Sequence, residues 1–186
     1  EGLVARKPEG MTFAEAAGIP CVFLTAWYGL VKLARLEKGE RVLIHAAAGG
    51  VGLAAIQIAR WMGADVWATA GSEEKRAYLR RIGIDHVMDS RTLDFSREIL
   101  AETGGRGVDV VLNSLAGAAI PAGLDCLAPY GRFVEIGKRD LWENSRLGIR
   151  PFLRNLSFFA VDLADAVEAR RSMVGSLLQE VMEHFA

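Results

Sequence analysis

The chain has 186 residues, 51% of them hydrophobic and 24% charged, with 22 basic and 23 acidic side chains. A chain of this length and apolar content buries enough surface to fold without a disulfide or a metal, which excludes intrinsic disorder. The balanced charge gives no reason to expect a nucleic acid or an anionic membrane as partner, and no apolar run is long enough to span a bilayer. Cys21 and Cys126 form no CxxC pair and indicate a reduced, cytoplasmic setting.

Strand and helix patterns alternate along the chain. Two helices are predicted first, at residues 11–18 and 20–34. They are followed by a strand at 41–46, a helix at 51–62, a strand at 65–70, a helix from Ser72 as its N-cap to about residue 82, a strand at 86–88 and a helix at 95–103.

The second half of the chain continues this alternation. The predicted elements are a strand at 108–112, a helix at 118–127, a strand at 131–136, a long loop at 138–154, a strand at 157–161 and one helix at 164–185. Alternation at this spacing requires right-handed crossovers between parallel strands. It predicts an α/β fold, a doubly wound, mostly parallel, Rossmann-like sheet in three layers, α/β/α.

A glycine-rich segment, Ala46-Ala47-Ala48-Gly49-Gly50-Val51-Gly52, lies between the first of these β-strands and its helix. In the dinucleotide-binding pattern G-x-G-x-x-G, Ala47 stands at the first glycine position. Gly49 would let a pyrophosphate approach the backbone, and Gly52 would let the helix pack on the strand, while the N–H groups at the helix start bind phosphate. The alternative is a tight turn without a ligand. The flanking strand and helix favour cofactor binding by Ala47, Gly49, Gly50, Val51 and Gly52.

The end of the second strand of the sheet indicates which nicotinamide cofactor is bound. NAD-binding domains carry an acidic residue about 20 residues after the glycines, where it grips the ribose 2′-hydroxyl. Here the position reads Thr69-Ala70-Gly71-Ser72, without a carboxylate. Ser72, Lys75, Arg76 and Arg91 suit a 2′-phosphate instead, which favours NADPH over NADH. The alternative is that Lys75 and Arg76 only solvate a helix.

Several segments together resemble one family. They lie at residues 21–30, 45–52, 68–76, 109–115 and 131–138, and they include Leu112-Asn113-Ser114-Leu115 and Glu135-Ile136-Gly137-Lys138. They resemble the enoyl reductase domains of modular polyketide synthases and animal-type fatty acid synthases. The wider medium-chain dehydrogenase/reductase superfamily shares the glycine turn but not this combination of motifs.

The resemblance implies reduction of the carbon–carbon double bond of an enoyl thioester on an acyl carrier protein, with NADPH and no metal. The implied partners are the other domains of the same megasynthase and a second copy of the chain, as a homodimer. The implied cofactor contacts are Thr25 near the nicotinamide, Gly49 to Gly52 on the pyrophosphate, Ser72, Lys75 and Arg91 around the adenosine phosphate, and Asn113, Ser114, Leu115, Ile136 and Gly137 along the cofactor.

The resemblance also suggests two catalytic candidates, Lys138 and Asp162. Negative charge develops on the thioester oxygen and the α-carbon during the reduction, so a donor must stabilise the first and protonate the second. A lysine near an aspartate could supply that donor. The alternatives are that Lys138 is a solvated loop residue and that Asp162 caps the helix that follows it.

Two further residues are assigned no chemistry. His45, beside the glycine turn, is interpreted as a packed or hydrogen-bonded core residue. Cys21 precedes a segment that carries one zinc ligand in zinc-dependent alcohol dehydrogenases, but the partner ligands are missing, so no metal is expected.

The resemblance predicts that residues 1–186 are the cofactor-binding fragment of a larger reductase, with the substrate-binding domain outside the chain and the fragment alone inactive. Two alternatives remain open. One is a free-standing, zinc-independent quinone oxidoreductase, and the other is an NADPH-binding module without catalysis.

Overall fold

The structure is a computed structural model that describes residues 2–185. Its first elements are α1 (Phe13–Ala17), α2 (Ile19–Trp27), a π-helical turn (Tyr28–Leu33), β1 (Arg41–Ile44), α3 (Gly50–Met62), β2 (Asp65–Ala70), α4 (Glu73–Arg81), β3 (His86–Asp89) and α5 (Asp94–Glu102). The chain continues with β4 (Val108–Asn113), α6 (Ala119–Asp125), β5 (Leu127–Glu135), α7 (Arg139–Trp142), a 3₁₀ helix (Arg150–Arg154), β6 (Ser157–Ala160), α8 (Leu163–Ala169) and α9 (Arg171–Glu183).

The strands form one six-stranded sheet in the order β3-β2-β1-β4-β5-β6, and all neighbouring pairs are parallel. This confirms the predicted Rossmann-like fold. The strand order reverses between β1 and β4, so the connections leave these two strands in opposite directions. In open α/β sheets, ligands bind outside the carboxyl ends of the strands at such a reversal.

Helices cover both faces of the sheet. Successive side chains of each strand point to opposite faces, so each strand contributes to two hydrophobic cores. On β1, Val42 and Ile44 pack in a core with α2, α3 and α9, whereas Leu43 packs in a second core with α5 and α6. All three side chains are fully buried. The strands are therefore covered on both sides, which explains their nearly continuous apolar sequences.

The start of α4 agrees with the sequence prediction. Ser72 is its N-cap, with the Lys75 N–H donating to the Ser72 hydroxyl at 3.4 Å. Acidic residues occupy the first turn and basic residues the last turn, which complements the helix dipole. The tip of β2 is thus joined directly to the helix that carries Lys75.

Four predicted elements differ from the structure, three of them in helical regions. The last helix is broken at Arg170, where φ is −134° and ψ is 42°. The predicted loop at 138–154 contains α7 and the 3₁₀ helix. The helix predicted at 20–34 is α-helical only to Trp27 and then continues as the π-helical turn.

β5 begins at Leu127, four residues before the predicted start at residue 131. Pro129 and Gly131 conceal this start, because both residue types are unusual inside a strand. Tyr130 has a φ of 62°, and the pairing of β5 with β4 shifts register between Val108 and Val110.

Within residues 2–185, no helix combines the length and the apolar character that crossing a bilayer requires.

Candidate functional site

The glycine-rich turn connects β1 to α3 at the centre of the sheet. Gly49 is the N-cap of α3 in an extended conformation, with φ −88° and ψ 173°. A Cβ on Gly52 would lie 2.5 Å from Cα of Ala47, so the turn packs against the helix at a distance that only glycine allows. Gly49 and Gly50 are exposed, which leaves the start of a 13-residue helix accessible to an anion.

Ala47 ties this turn to the neighbouring strand. Its N–H donates to the Thr69 carbonyl at 2.9 Å, and its side chain is fully buried. Ala46, just before it, has a φ of 49°. The turn is therefore hydrogen-bonded to β2 and packed closely against α3, which fits a preformed site for a pyrophosphate.

Three exposed residues lie near the end of β2: Ser72 caps α4, Lys75 is in the first turn of α4, and Arg91 follows β3. A Cβ on Gly71 would lie 2.7 Å from Nε of Arg91, so the arginine side chain lies directly over this glycine. Within residues 2–185, neither Lys75 nor Arg91 forms an ion pair. The structure places these three predicted residues around the end of β2, and the cationic groups of Lys75 and Arg91 are available for a phosphate.

Arg76 differs from its neighbours. Its guanidinium forms ion pairs with Asp89 at 2.9 Å and with Glu73 at 3.0 Å, and it donates to the Ala70 carbonyl at 3.0 Å. These contacts join α4 to the ends of β2 and β3. The Arg76 guanidinium is therefore occupied by contacts within the fold, and it does more than solvate a helix.

At the ends of β4 and β5, Asn113 and Glu135 are opposite each other in register and both are buried. Asn113 Nδ2 donates to Glu135 Oε2 at 2.5 Å, and the Gly137 N–H donates to Glu135 Oε1 at 2.6 Å. Burial raises the pKa of Glu135 to about 7, against these two hydrogen bonds, which lower it. Sequence reasoning missed Glu135 as a functional residue, although a carboxylate at the end of an apolar strand is itself a signal.

The remaining predicted residues of these strand ends surround that carboxylate. Ser114, Leu115 and Gly137 line, with Glu135, a cavity of about 80 Å³, and Ile136 is half-buried against the apolar core that contains α2 and α3. The structure therefore gathers these residues at one edge of the sheet.

The two catalytic candidates are in contact. Lys138 Nζ lies 2.7 Å from Asp162 Oδ2 and also donates to the Val161 carbonyl at 3.0 Å. Asp162 Oδ1 accepts from the N–H groups of Ala164 and Asp165, so this aspartate also caps α8. The Lys138 ammonium and the helix N–H groups hold the pKa of the Asp162 carboxyl below its ordinary value.

Thr25 lies on α2 and is half-buried, with its hydroxyl donating to the Cys21 carbonyl at 2.8 Å. It lines an apolar groove of about 420 Å³ together with Leu163 and Val167 of α8. Because Leu163 directly follows Asp162, the groove begins beside the Lys138–Asp162 pair.

His45 is buried beneath the glycine turn. Its Nδ1 lies 2.8 Å from the Thr69 hydroxyl, and its ring packs edge-on against Phe95. Burial lowers the pKa of His45 to about 3, which keeps the imidazole neutral at neutral pH. This position agrees with the interpretation as a hydrogen-bonded core residue.

In the described part of the chain, no three His, Cys, Asp or Glu side chains are arranged to hold a metal ion. Cys21 is exposed on α2 and Cys126 is buried after α6, on different elements of the fold. The residues present therefore do not fit a zinc centre.

A parallel sheet of this strand order, with a glycine turn at the reversal, defines a dinucleotide-binding domain. The chain belongs to the zinc-binding dehydrogenase family, which matches residues 50–183. It is 52% identical over 179 residues to the mycocerosic acid synthase-like polyketide synthase of Mycobacterium tuberculosis, covering 96% of this chain and 8% of that protein. It is 53% identical over 179 residues to the phthioceranic/hydroxyphthioceranic acid synthase of Mycobacterium bovis, covering 94% of this chain and 8% of that protein.

Solved structures show the same relationship. The CurK enoyl reductase is 50% identical with a TM-score of 0.89, and the match covers 99% of this chain and 55% of that one. The nucleotide-binding subdomain of the enoylreductase domain of PpsC from Mycobacterium tuberculosis is 48% identical with a TM-score of 0.85, covering 90% and 93% of the two chains. These comparisons confirm the resemblance to enoyl reductase domains of polyketide synthases.

Proposed function

We propose that this chain is the NADPH-binding part of an enoyl reductase, which reduces the double bond of an enoyl thioester on an acyl carrier protein within a polyketide synthase. The observation that carries the proposal is the 2.7 Å contact between Lys138 and Asp162. Two residues that are distant in sequence meet at the carboxyl end of the sheet, the edge that also carries the glycine turn.

The chain's own residues would hold the cofactor at this edge. The N-terminus of α3 would bind the pyrophosphate, while Lys75 and Arg91 would bind the 2′-phosphate. Thr25 would contact the nicotinamide, and Asn113 to Leu115 would line the cofactor. When bound, NADPH supplies the two electrons of the reduction.

Lys138 and Asp162 provide the acid chemistry. Negative charge builds on the thioester oxygen as the β-carbon is reduced, and the Lys138 ammonium stabilises that charge. A proton from Lys138 Nζ can then reach the α-carbon. Asp162 fixes the direction of the Lys138 ammonium through the 2.7 Å contact between Oδ2 and Nζ.

The complete reductase requires a substrate-binding domain in addition to this chain. The chain spans 55% of the CurK enoyl reductase but 93% of a nucleotide-binding subdomain, which supports this division. Without that domain the thioester has one wall of its site missing, so the isolated chain is expected to bind NADPH without turnover. We further propose a homodimer formed through β6, which is an edge strand of the sheet.

The proposed cofactor preference is tested by fluorescence titration of the chain with NADPH and NADH. We expect tighter binding of NADPH, and Arg91→Ala should weaken NADPH binding about tenfold, the usual loss of a hydrogen bond to a charged group, while leaving NADH binding unchanged. Arg97→Ala serves as the matched control, because Arg97 is exposed on α5 and pairs with Asp94. Equal affinity for the two cofactors would refute the preference.

A further inference from the structure

Glu135 is a buried carboxyl group to which the proposed mechanism gives no task. It is the last residue of β5, and its side chain is 1% exposed. In register it lies between Asn113 of β4 and Ala160 of β6. Residues proposed to line the cofactor follow β4 and β5. The two catalytic candidates follow β5 and β6.

Its side chain connects the ends of β4 and β5. One oxygen accepts from Asn113 Nδ2 and the other accepts from the Gly137 N–H. Asn113 in turn holds the next loop, because its Nδ2 donates to the Leu115 carbonyl at 2.7 Å and its Oδ1 accepts from the Leu115 N–H at 3.2 Å. The carboxylate is therefore the centre of a network in which each polar atom of the Asn113 amide has a partner.

The backbone folds tightly around this carboxylate just before Lys138. A Cβ on Gly137 would lie 2.7 Å from Glu135 Oε1, so any other residue at position 137 would require the carboxylate to shift. The Glu135 carbonyl also accepts from the Val161 N–H at 2.8 Å, and Lys138 Nζ donates to the Val161 carbonyl. Both segments that present the Lys138–Asp162 pair are thus bonded to Glu135.

We propose that Glu135 is a positioning residue, whose carboxylate fixes the Gly137 backbone and the Asn113 amide and thereby sets the direction of Lys138 toward Asp162. This role rests on the proposed function of Lys138. The carboxylate form holds both N–H donors, whereas a protonated carboxyl gives up one acceptor position. The network is consequently strongest when Glu135 is ionised.

The surroundings place this ionisation near neutral pH. Burial raises the pKa of Glu135, and the neighbouring Asp140 raises it further, to about 7 in total. The charged groups around the adjoining cavity are Lys138, Arg139 and Asp140. The position of Lys138 is therefore expected to change between mildly acidic and mildly basic conditions.

The first experiment follows the Gly137 amide proton of the chain by NMR from pH 5.5 to 8.5. An N–H that donates to a carboxylate moves downfield as that carboxylate ionises, so we expect the Gly137 resonance to titrate with a midpoint near the pKa of Glu135. The titration should vanish in Glu135→Gln. A Gly137 resonance that does not respond to pH in the unmodified chain would overturn the proposal, and this result does not depend on cofactor binding.

The second experiment exchanges donor and acceptor. In Glu135→Gln one side-chain NH₂ group faces another N–H donor, and in Asn113→Asp two carboxylates face each other, so each single change disrupts the network. The double variant Asn113→Asp/Glu135→Gln restores a donor–acceptor pair. In the complete reductase domain, we expect each single variant to lower kcat about tenfold, with little change in the KM for NADPH in Glu135→Gln. We expect the double variant to recover part of the lost kcat.

Glu143→Gln is the control for the second experiment, because Glu143 is exposed after α7 and pairs only with Arg139 within residues 2–185. If the decreases in kcat of the two single variants, expressed as free energies, simply add in the double variant, Glu135 does not act through Asn113 and the proposal fails. If the chain does not bind NADPH at all, the proposed function fails, while the NMR titration still decides the role of Glu135 in the network.

Discussion

Asp162 makes two kinds of contact, and they can be separated by substitution. One oxygen contacts Lys138 and the other caps α8. Asp162→Asn keeps an oxygen acceptor for the cap but removes the charge that faces Lys138, whereas Asp162→Ala removes both contacts. In the complete reductase domain we expect both variants, and Lys138→Ala, to lower turnover of a crotonyl thioester more than NADPH affinity.

Thermal unfolding distinguishes the two contacts. Asp162→Ala should lower the melting temperature further than Asp162→Asn, because only the alanine variant loses the helix cap. Should all three variants keep full turnover, the proton comes from water or from another residue. Should Asp162→Asn keep full turnover while Lys138→Ala loses it, the aspartate would be a helix cap alone.

The sequence names candidate residues for the site, whereas the structure supplies most of the contacts between them. Lys138 and Asp162 were identified through the resemblance, and the structure places them in contact. Glu135 lies within the Glu-Ile-Gly-Lys motif, but a pattern of residue types does not show that its carboxylate turns back onto Gly137. Arg76 has the same charge as Arg91, but the fold brings Asp89 and the Ala70 carbonyl against Arg76, and sequence alone does not show these contacts.

At the scale of an element, the glycine turn is the feature whose geometry is least tolerant of change. Gly52→Ala places a Cβ against backbone atoms of Ala47 that cannot move without displacing the end of β1. We expect the variant to lose about 1–3 kcal/mol of unfolding free energy, as overpacked sites do, and to bind NADPH more weakly. Urea denaturation and fluorescence titration measure the two effects.

The matched control is Gly148→Ala, because a Cβ on Gly148 would meet no atom within 4 Å. Gly148 lies between α7 and the 3₁₀ helix, away from the turn. This variant should change neither the unfolding free energy nor the affinity. A Gly52→Ala chain that matches this control would show that the close packing of turn and helix is not required.

Prediction of the elements succeeded where apolar periodicity and capping agree and failed where periodicity alone was used. The strand at 65–70 and the Ser72 cap were predicted as they are found. The break at Arg170 was missed because Val167 and Val174 are seven residues apart, two helical turns, so both fit one apolar face across the break. Periodicity reports which side is buried and not whether the backbone is continuous.

At the scale of the whole molecule, two buried titratable groups act on stability in opposite directions. The pKa of Glu135 is raised from an ordinary 4.5 to about 7, so the folded chain keeps a proton that the unfolded chain releases, and stability is lost as pH rises through this range. The pKa of His45 is lowered from 6.5 to about 3, so the unfolded chain takes up a proton that the folded chain refuses. Its contribution is therefore lost as pH falls below 6.5.

Between pH 4.5 and 6.5 the two slopes cancel, which makes the stability contributed by this pair nearly independent of pH in that range. Glu135→Gln removes the decrease in unfolding free energy with rising pH that Glu135 causes. The unfolding free energy of this variant minus that of the unmodified chain should therefore increase from pH 4.5 to 7, by at most about 1.4 kcal/mol per pH unit. His45→Asn, which retains a partner for Thr69, should give a difference that increases as pH falls below 6.5.

Urea denaturation at a series of pH values measures both differences, and each variant acts as the control for the other because the expected slopes have opposite signs. Groups shared by the variants and the unmodified chain cancel in the subtraction. Loss of packing in either variant lowers stability by the same amount at every pH, so it changes the size of the free-energy difference but not its dependence on pH. Two flat differences would mean that neither group changes its proton binding on folding, and the ionisation of Glu135 could then not control the position of Lys138 near neutral pH.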